Sequence, residues 1–126
     1  MEWTTEVGCA YSATITVGTI TDTGNVTIQL KDFAGNALTV PNGVMVYFTT
    51  DAAGQTIETL GAEATITTHG ICNVVTATSV YYCISEATGL IDLTLDGDYG
   101  NSATVYLHVV LPNGKIVHSD VITFTS

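Results

Sequence analysis

The sequence predicts an all-β protein, a sandwich or barrel of short antiparallel strands. Runs rich in Val, Ile, Thr and Tyr recur at intervals of roughly ten residues, and clusters of turn-forming residues separate them. No window carries the i, i+3, i+4, i+7 apolar pattern of an amphipathic helix. The chain has 126 residues, of which 46% are hydrophobic, and this composition is typical of one folded domain. We therefore expect about seven to nine strands around one core.

The predicted strands follow one another in chain order, each bounded by a turn. They cover residues 14–20, 26–31, 44–50, 64–68, 74–76, 80–85 and 90–95, and a hairpin at 103–124 follows. Alternation places Val26, Ile28 and Leu30 on one face of the second strand. Asn25 begins a glycosylation sequon, but it belongs to the turn cluster at residues 21–25, and without a secretory route it is interpreted as a turn residue.

The clearest element is the long C-terminal hairpin, which we expect at the centre of a sheet. Its arms flank Pro112-Asn113-Gly114, and Asn-Gly predicts a tight turn with positive φ angles. In that register His108 and His118, one on each arm, do not face each other. A three-residue loop about Asn113 would be needed to oppose them. We therefore expect surface or partly buried histidines rather than a metal-binding pair.

The strand VMVYFTT is apolar on both sides. Val44, Val46 and Phe48 point one way, and Met45 and Tyr47 point the other. This pattern predicts a strand that is covered on both faces, the second face by a partner chain.

Neighbouring aromatic residues add candidates for an interface. Tyr81 and Tyr82 are adjacent, so on a strand they face opposite sides. One is expected in the core and the other at the surface or at an interface. Trp3 and Tyr11 are large side chains in an otherwise polar N-terminal stretch, and aromatic residues often dominate protein interfaces.

The charge of the chain excludes two classes of partner. The formal net charge is −10, and Lys31 and Lys115 are the only two basic residues. Nucleic-acid binding and attachment to anionic membranes both need a basic patch. The first residues lack the basic and apolar regions of a signal peptide. We therefore expect synthesis in a cytosol, with any export by a route that the chain does not encode.

The three cysteines leave two interpretations open. A turn centred between Ala77 and Thr78 would place Cys72 directly opposite Cys83, at a distance that suits a disulfide. Three free thiols are the expectation for a cytosolic product, and we favour that state. Cys9 has no partner in either interpretation and could lie against another chain.

No residue pattern in the sequence indicates catalysis. There is no GxSxG motif, phosphate-binding glycine loop or CxxC motif, and nothing singles out two carboxylates for glycoside hydrolysis. Asp96, Asp98 and Asn101 supply oxygen atoms in one loop, but the EF-hand pattern is missing and a hydrogen-bonded turn is favoured. We therefore expect no enzyme, no metal and no cofactor.

Several segments resemble known families. Residues 29–38 (QLKDFAGNAL) and 44–50 (VMVYFTT) resemble the strand-turn-strand signature of bacterial Ig-like domains of the intimin/invasin type. Residues 26–32, 85–95 (SEATGLIDLTL) and 109–124 together resemble small structural proteins of tailed bacteriophages. This likeness covers about residues 12–126, whereas residues 1–11 and the cysteine-bearing middle depart from it.

The resemblance implies an Ig-like antiparallel β-sandwich over residues 12–126, preceded by an arm or edge strand at 1–11. It also implies a non-enzymatic virion protein, made in the host cytoplasm. The leading hypothesis is a capsid decoration protein that binds the major capsid protein, as a homo-oligomer such as a trimer. The alternative is a tail or head-fibre module that binds host carbohydrate near Asp96 and Tyr99. The interface candidates are Trp3, Cys9, Tyr11, Met45 and Tyr47.

Overall fold

The protein is a sandwich of two antiparallel β-sheets. A computed structural model describes residues 9–20, 23–58, 60, 64–66, 68–96 and 103–124. The strands in these residues are β1 (Ser12–Ile20), β2 (Thr23–Lys31), β3 (Gly43–Thr49), β4 (Thr65–Ile66), β5 (Ile71–Thr76), β6 (Val80–Ile84), β7 (Leu90–Asp96), β8 (Ala103–Val110), β9 (Ile116–His118) and β10 (Ile122–Phe124). The all-β prediction is confirmed, with ten described strands instead of seven to nine. Within the described ranges, no helix is long and apolar enough to cross a bilayer.

The strand order is that of an Ig-like sandwich with one hairpin inserted. The first sheet has the order β1-β2-β7-β4, and the second has the order β10-β8-β3-β6-β5, with β9 also paired to β8. Constant-type Ig domains have strands A-B-E-D in one sheet and C-F-G in the other. Here β1, β2, β7 and β4 match A, B, E and D, while β3 and β8 match C and F. The hairpin β5–β6 lies between D and E in the chain, and it extends the second sheet beyond strand C.

The core lies between the two sheets and follows the period-two pattern of the strands. Val26, Ile28 and Leu30 lie on one face of β2, as predicted, and their side chains are fully buried. Val46 and Phe48 on β3 are also fully buried. Burying a side chain of this size stabilises the fold by about 1.5–3 kcal/mol.

The interpretation of Asn25 as a turn residue is wrong. Asn25 lies inside β2, directly opposite Thr94 of β7. Its side-chain oxygen accepts a hydrogen bond from the Thr94 hydroxyl at 3.1 Å. β2 begins at Thr23, three residues before the predicted start, because pairing with β7 continues through Gly24 and Asn25.

The predicted tight turn of the C-terminal hairpin is also wrong. The Leu111 N–H donates to Lys115 O at 2.8 Å, and the Gly114 N–H donates to Leu111 O at 2.9 Å. The turn therefore begins at Leu111, with Pro112 and Asn113 at its centre. Pro112 favours the first central position of a type I turn, so the positive φ falls on Gly114, at 85°. This three-residue loop places His108 directly opposite His118.

The inserted hairpin contains a disulfide. Cys72 and Cys83 are cross-strand neighbours, and their sulfur atoms are bonded, with the Cα atoms 4.1 Å apart. The expectation of free thiols is therefore wrong for this pair, although the register that would oppose them is the one observed. An irregularity between Val74 and Thr76 and a positive φ of 58° at Thr78 close the turn. Cys9 is a free thiol and is exposed.

Candidate interaction surface

The outward side of the second sheet carries a row of side chains that crosses five strands. Pairing in register places Ile116, Val110, Met45, Tyr82 and Asn73 side by side, in that order. Adjacent strands lie about 4.8 Å apart, so the row is about 19 Å long. Four of its five members are apolar or aromatic, and they project away from the core.

A second row extends this surface at the edge of the sheet. Ile84 lies directly opposite Ile71, next to Tyr82 in the first row. Ile71 is 59% exposed, Ile116 is 53% exposed and Tyr82 is 41% exposed. We name as the apolar face the side chains of Met45, Ile71, Tyr82, Ile84, Val110 and Ile116. Among the described outward positions of β3, β5, β6, β8 and β9, none carries Asp, Glu, Lys or Arg.

The position of Tyr82 depends on a glycine of the neighbouring strand. Gly43 of β3 is paired with Ile84, beside Tyr82. A Cβ atom at Gly43 would collide with the Tyr82 hydroxyl and ring. The absence of that atom lets the tyrosine ring lie across the backbone of β3.

A buried histidine lies at the far end of the same side of the sheet. His108 is 1% exposed, and its ring stacks on Tyr47 with 4.9 Å between the ring centroids. The Thr49 hydroxyl donates to Asp51 O at 2.6 Å. His108 Nε2 lies 2.8 Å from that hydroxyl oxygen, so this nitrogen must carry the proton and donate. The expectation of an ordinary surface or partly buried histidine is therefore wrong for His108.

Burial lowers the pKa of His108 below its ordinary value of 6.5. A hydrogen bond with the Asp51 carbonyl opposes this shift, and the nearby His118 adds to it. The two histidine rings lie 5.7 Å apart between centroids. No group of three or more His, Cys, Asp and Glu side chains is placed to hold a metal ion within the described ranges. The two histidines therefore contact each other without forming such a group.

Acidic residues occur in the loops next to the strands that carry the apolar face. Asp51 follows β3, Glu86 follows β6 and Asp120 follows β9. Glu58 lies beside Ile57, which bridges to the end of β3. Lys115 lies just before β9. We call these loop residues the acidic rim, and the described ones comprise four acidic side chains and one basic one.

An ion pair lies at the start of β5. His69 Nδ1 is 2.9 Å from Glu86 Oε1, and both side chains are partly exposed. The hydrogen bond to Glu86 raises the pKa of His69 above 6.5. Burial of Asp92 opposes its ionisation, but hydrogen bonds from the N–H groups of His69 and Thr68 lower its pKa below 3.8 overall. These contacts anchor the loop before β5 to β7.

The outward side of the first sheet has the opposite chemistry. We name it the polar face. Its positions on β1, β2 and β7 are Ser12, Thr14, Thr16, Gly18, Thr23, Asn25, Thr27, Gln29, Lys31, Leu90, Asp92, Thr94 and Asp96. Leu90 is the only large apolar side chain among them.

The interface candidates from the sequence are distributed over several parts of the molecule. Met45 and Tyr47 lie on the outward side of the second sheet, and both are half-buried. Tyr11 is 47% exposed, and the Lys115 ammonium lies 5.6 Å from the centroid of its ring. Cys9 is exposed beside Ala10, whose N–H donates to Asn42 Oδ1. The structure therefore brings Met45 and Tyr47 together on one surface with Tyr82.

Some candidate residues fall outside the described residues. These are Trp3, Asp98, Tyr99 and Asn101. Ile71 and Ile116 were not singled out from the sequence, although both are more than half exposed. The alternation of Val80, Tyr82 and Ile84 against Tyr81 and Cys83 was the available signal for an outward apolar stripe on β6.

Comparison with protein-family models finds no match for this chain. Comparison with curated proteins finds no match either.

Proposed function

We propose that this chain is a non-catalytic structural protein of a tailed-phage virion, a decoration protein that binds the major capsid protein and stabilises the head. The observation that carries the proposal is the apolar face, on the side of the second sheet that the sandwich core does not cover. Contiguous exposed apolar patches mark sites of protein interaction. The resemblance of residues 12–126 to phage structural proteins supplies the partner class.

The surroundings of the apolar face indicate what the capsid surface must offer. An apolar centre requires an apolar counterpart, because burying unpaired polar groups is unfavourable. The acidic rim of Asp51, Glu58, Glu86 and Asp120 favours basic residues around that counterpart, and such pairs increase association rate and specificity. A decoration protein of this kind would bind through the apolar face and display the polar face outward.

A binding experiment with matched variants tests the proposal. Purified heads lacking this protein are incubated with the wild type, with Met45→Glu or Tyr82→Glu, and with the controls Thr16→Glu and Thr27→Glu. Each variant adds one negative charge to a strand position, so net charge does not distinguish the groups. We expect the first two to reduce head binding at least tenfold, because a charge buried in an apolar contact is strongly unfavourable. The controls on the polar face are expected to bind like the wild type.

The copy number in purified particles, measured by mass spectrometry, provides an independent test. Hundreds of copies per particle would support decoration. A dozen or fewer would contradict it and indicate a component of the tail or portal vertex. Absence from particles, or equal binding by both sets of variants, would reject the proposal. Binding on a glycan array with no affinity for heads would instead favour the carbohydrate-binding module.

A further inference from the structure

β5 is the outermost strand of the second sheet, and it carries no Lys, Pro or charged side chain. Among the described residues, no strand pairs with the side of β5 that faces away from β6. Ile71, Val74 and Val75 are each more than half exposed. Proteins protect such edges with Lys, Pro, inward-pointing charges or β-bulges. Ile71–Thr76 contains no Lys, Pro or charged residue, and its irregularity lies between Val74 and Thr76, so residues 71–74 keep a regular register with β6. The strand also belongs to the inserted hairpin that extends the Ig-like order.

The direction of the backbone groups on this edge follows from the bonds of β6. The Ser85 N–H donates to Asn42 O, and the Phe48 N–H donates to Ser79 O, so odd-numbered residues of β6 bond toward β3. Cys83 is one of these odd-numbered residues, so its backbone N–H and C=O groups make no hydrogen bond to Cys72, although the two side chains form the disulfide. The Cα separation of 4.1 Å between the two cysteines agrees, because non-hydrogen-bonded pairs are the closer ones. The N–H and C=O groups of Cys72 and Val74 consequently point to the free edge.

We propose that β5 pairs antiparallel with β5 of a second copy of this chain, about a two-fold axis at Asn73. In that register, Cys72 of each copy lies opposite Val74 of the other. Each of these pairs exchanges two N–H···O bonds, which gives four bonds in all. The two Asn73 side chains meet at the axis, where the amide of each chain can donate a hydrogen bond to the other amide and accept one from it. The two second sheets then form one continuous sheet.

The local charge permits a second copy as the occupant of this edge. Each chain carries a formal net charge of −10, so two copies repel each other over most of their surface. β5 is neutral, and at its start Glu86 is paired with His69. Two copies can therefore approach along this edge with little local repulsion. The pairing is expected to strengthen with added salt, which screens the remaining repulsion.

The size of the contact predicts a weak dimer in free solution. One pair of six-residue strands lies well below the roughly 800 Å² per partner of a standard stable interface. Pairing would place the two apolar faces side by side on one sheet, with Tyr82 and Ile71 of each copy near the axis. A dimer could then engage two sites on one surface, which increases the overall affinity without new contacts.

Sedimentation analysis of the full chain at low and high salt tests the pairing. We expect a monomer–dimer equilibrium that shifts toward dimer as salt increases. Val74→Pro removes an edge N–H but no bond to β6, and it should weaken dimerisation at least tenfold. The matched variant Val74→Thr keeps that N–H and should dimerise like the wild type. An unchanged melting temperature of the monomeric variants shows that the fold is intact.

A cross-linking experiment checks the axis independently. In a Cys9→Ser background, Asn73→Cys places two thiols opposite each other at about 4.5 Å between Cα atoms, within the range of a disulfide. Mild oxidation should give a covalent dimer linked through position 73, mapped by mass spectrometry. Thr76→Cys lies off the axis and should give none. The proposal would be overturned by a protein that stays monomeric at every salt concentration with protein at up to about 1 mM. A trimer, or dimers that Val74→Pro leaves unchanged, would also overturn it.

Discussion

The two outward faces of the sandwich differ in kind, although one fold produces both. Each sheet buries one side against the core. The polar face of the first sheet consists mainly of Thr, Ser, Asn, Gln and Asp, with one Gly, one Lys and one large apolar side chain, Leu90, among its described positions. The described outward strand positions of the second sheet carry no Asp, Glu, Lys or Arg. Solubility alone explains the polar face, whereas it does not explain the apolar face, which is the side on which we propose the interaction surface.

Replacing each of the two adjacent tyrosines should give the largest difference in stability, because one faces the core and the other lies on the apolar face. Tyr81 is 1% exposed, its hydroxyl accepts the Ala64 N–H at 3.0 Å, and its ring lies edge-on to Phe48. Tyr81→Ala should lower the free energy of unfolding by about 3–5 kcal/mol. Tyr82→Ala, on the apolar face, should lower it by less than about 1 kcal/mol while weakening head binding. Urea unfolding measures both, and equal losses of stability would show that the apolar face is part of the fold's own core.

The disulfide is expected to have the next largest effect. Cys72 and Cys83 are separated by 11 positions, and closing so short a loop stabilises by about 3 kcal/mol in the chain-entropy model. The free energy of unfolding measured with reductant should be lower than that measured without it by about this amount. Cys9→Ser should leave the difference unchanged, because Cys9 is a free thiol. If reduction has no effect on stability, the cross-link does not hold the inserted hairpin in place.

His108 and His69 should change the stability of the fold with pH in opposite directions. The folded-state pKa of His108 is lowered by burial, so its contribution is present above pH 6.5 and is lost as the pH falls below that value. The folded-state pKa of His69 is raised by its bond to Glu86, so its contribution is present below 6.5 and is lost as the pH rises through the folded pKa.

Unfolding series across this pH range measure the two contributions separately. His108→Gln should remove the loss of stability on the acidic side, and His69→Ala should deepen it. If His108→Gln leaves the acidic side of the profile unchanged, His108 is not held neutral by its buried position.

The smallest effect is expected from changes on the polar face. Thr16 is exposed and lies directly opposite Thr27 of β2. Thr16→Val and Thr27→Val should each change the free energy of unfolding by no more than about 0.5 kcal/mol. Neither should confer new binding to heads. A large loss of stability or a gain in head binding would remove the functional distinction between the two faces.

The sequence predicted the parts of the fold that depend on local pattern. Alternation on β2 placed Val26, Ile28 and Leu30 on one face, and that face is the buried one. On β3 it separated Val44, Val46 and Phe48 from the other side without indicating which side lies in the core. The same alternation placed Met45 and Tyr47 on the opposite side of β3. The hairpin turn was missed because Pro112 and Asn-Gly favour different turns, and the proline determined the register.

Other features depend on which strands become neighbours, and the sequence does not contain that information in local form. The exposed edge at Ile71 and Val74 follows from the outermost position of β5, which is a property of the sheet order. The burial of His108 follows from the stacking of Tyr47 and from the carbonyl of Asp51, 57 positions away. The register that opposes Cys72 and Cys83 was foreseen, but their oxidation state depends on the surroundings as well as on geometry.

The glycine beside Tyr82 determines the contour of the apolar face. Because Gly43 leaves room for the ring, the tyrosine lies across its neighbouring strand instead of standing upright. A side chain at position 43 would force the Tyr82 ring to move, because its Cβ would overlap the tyrosine hydroxyl and ring. A hydrogen atom in place of a side-chain carbon at this one position therefore sets how closely the ring can lie over β3.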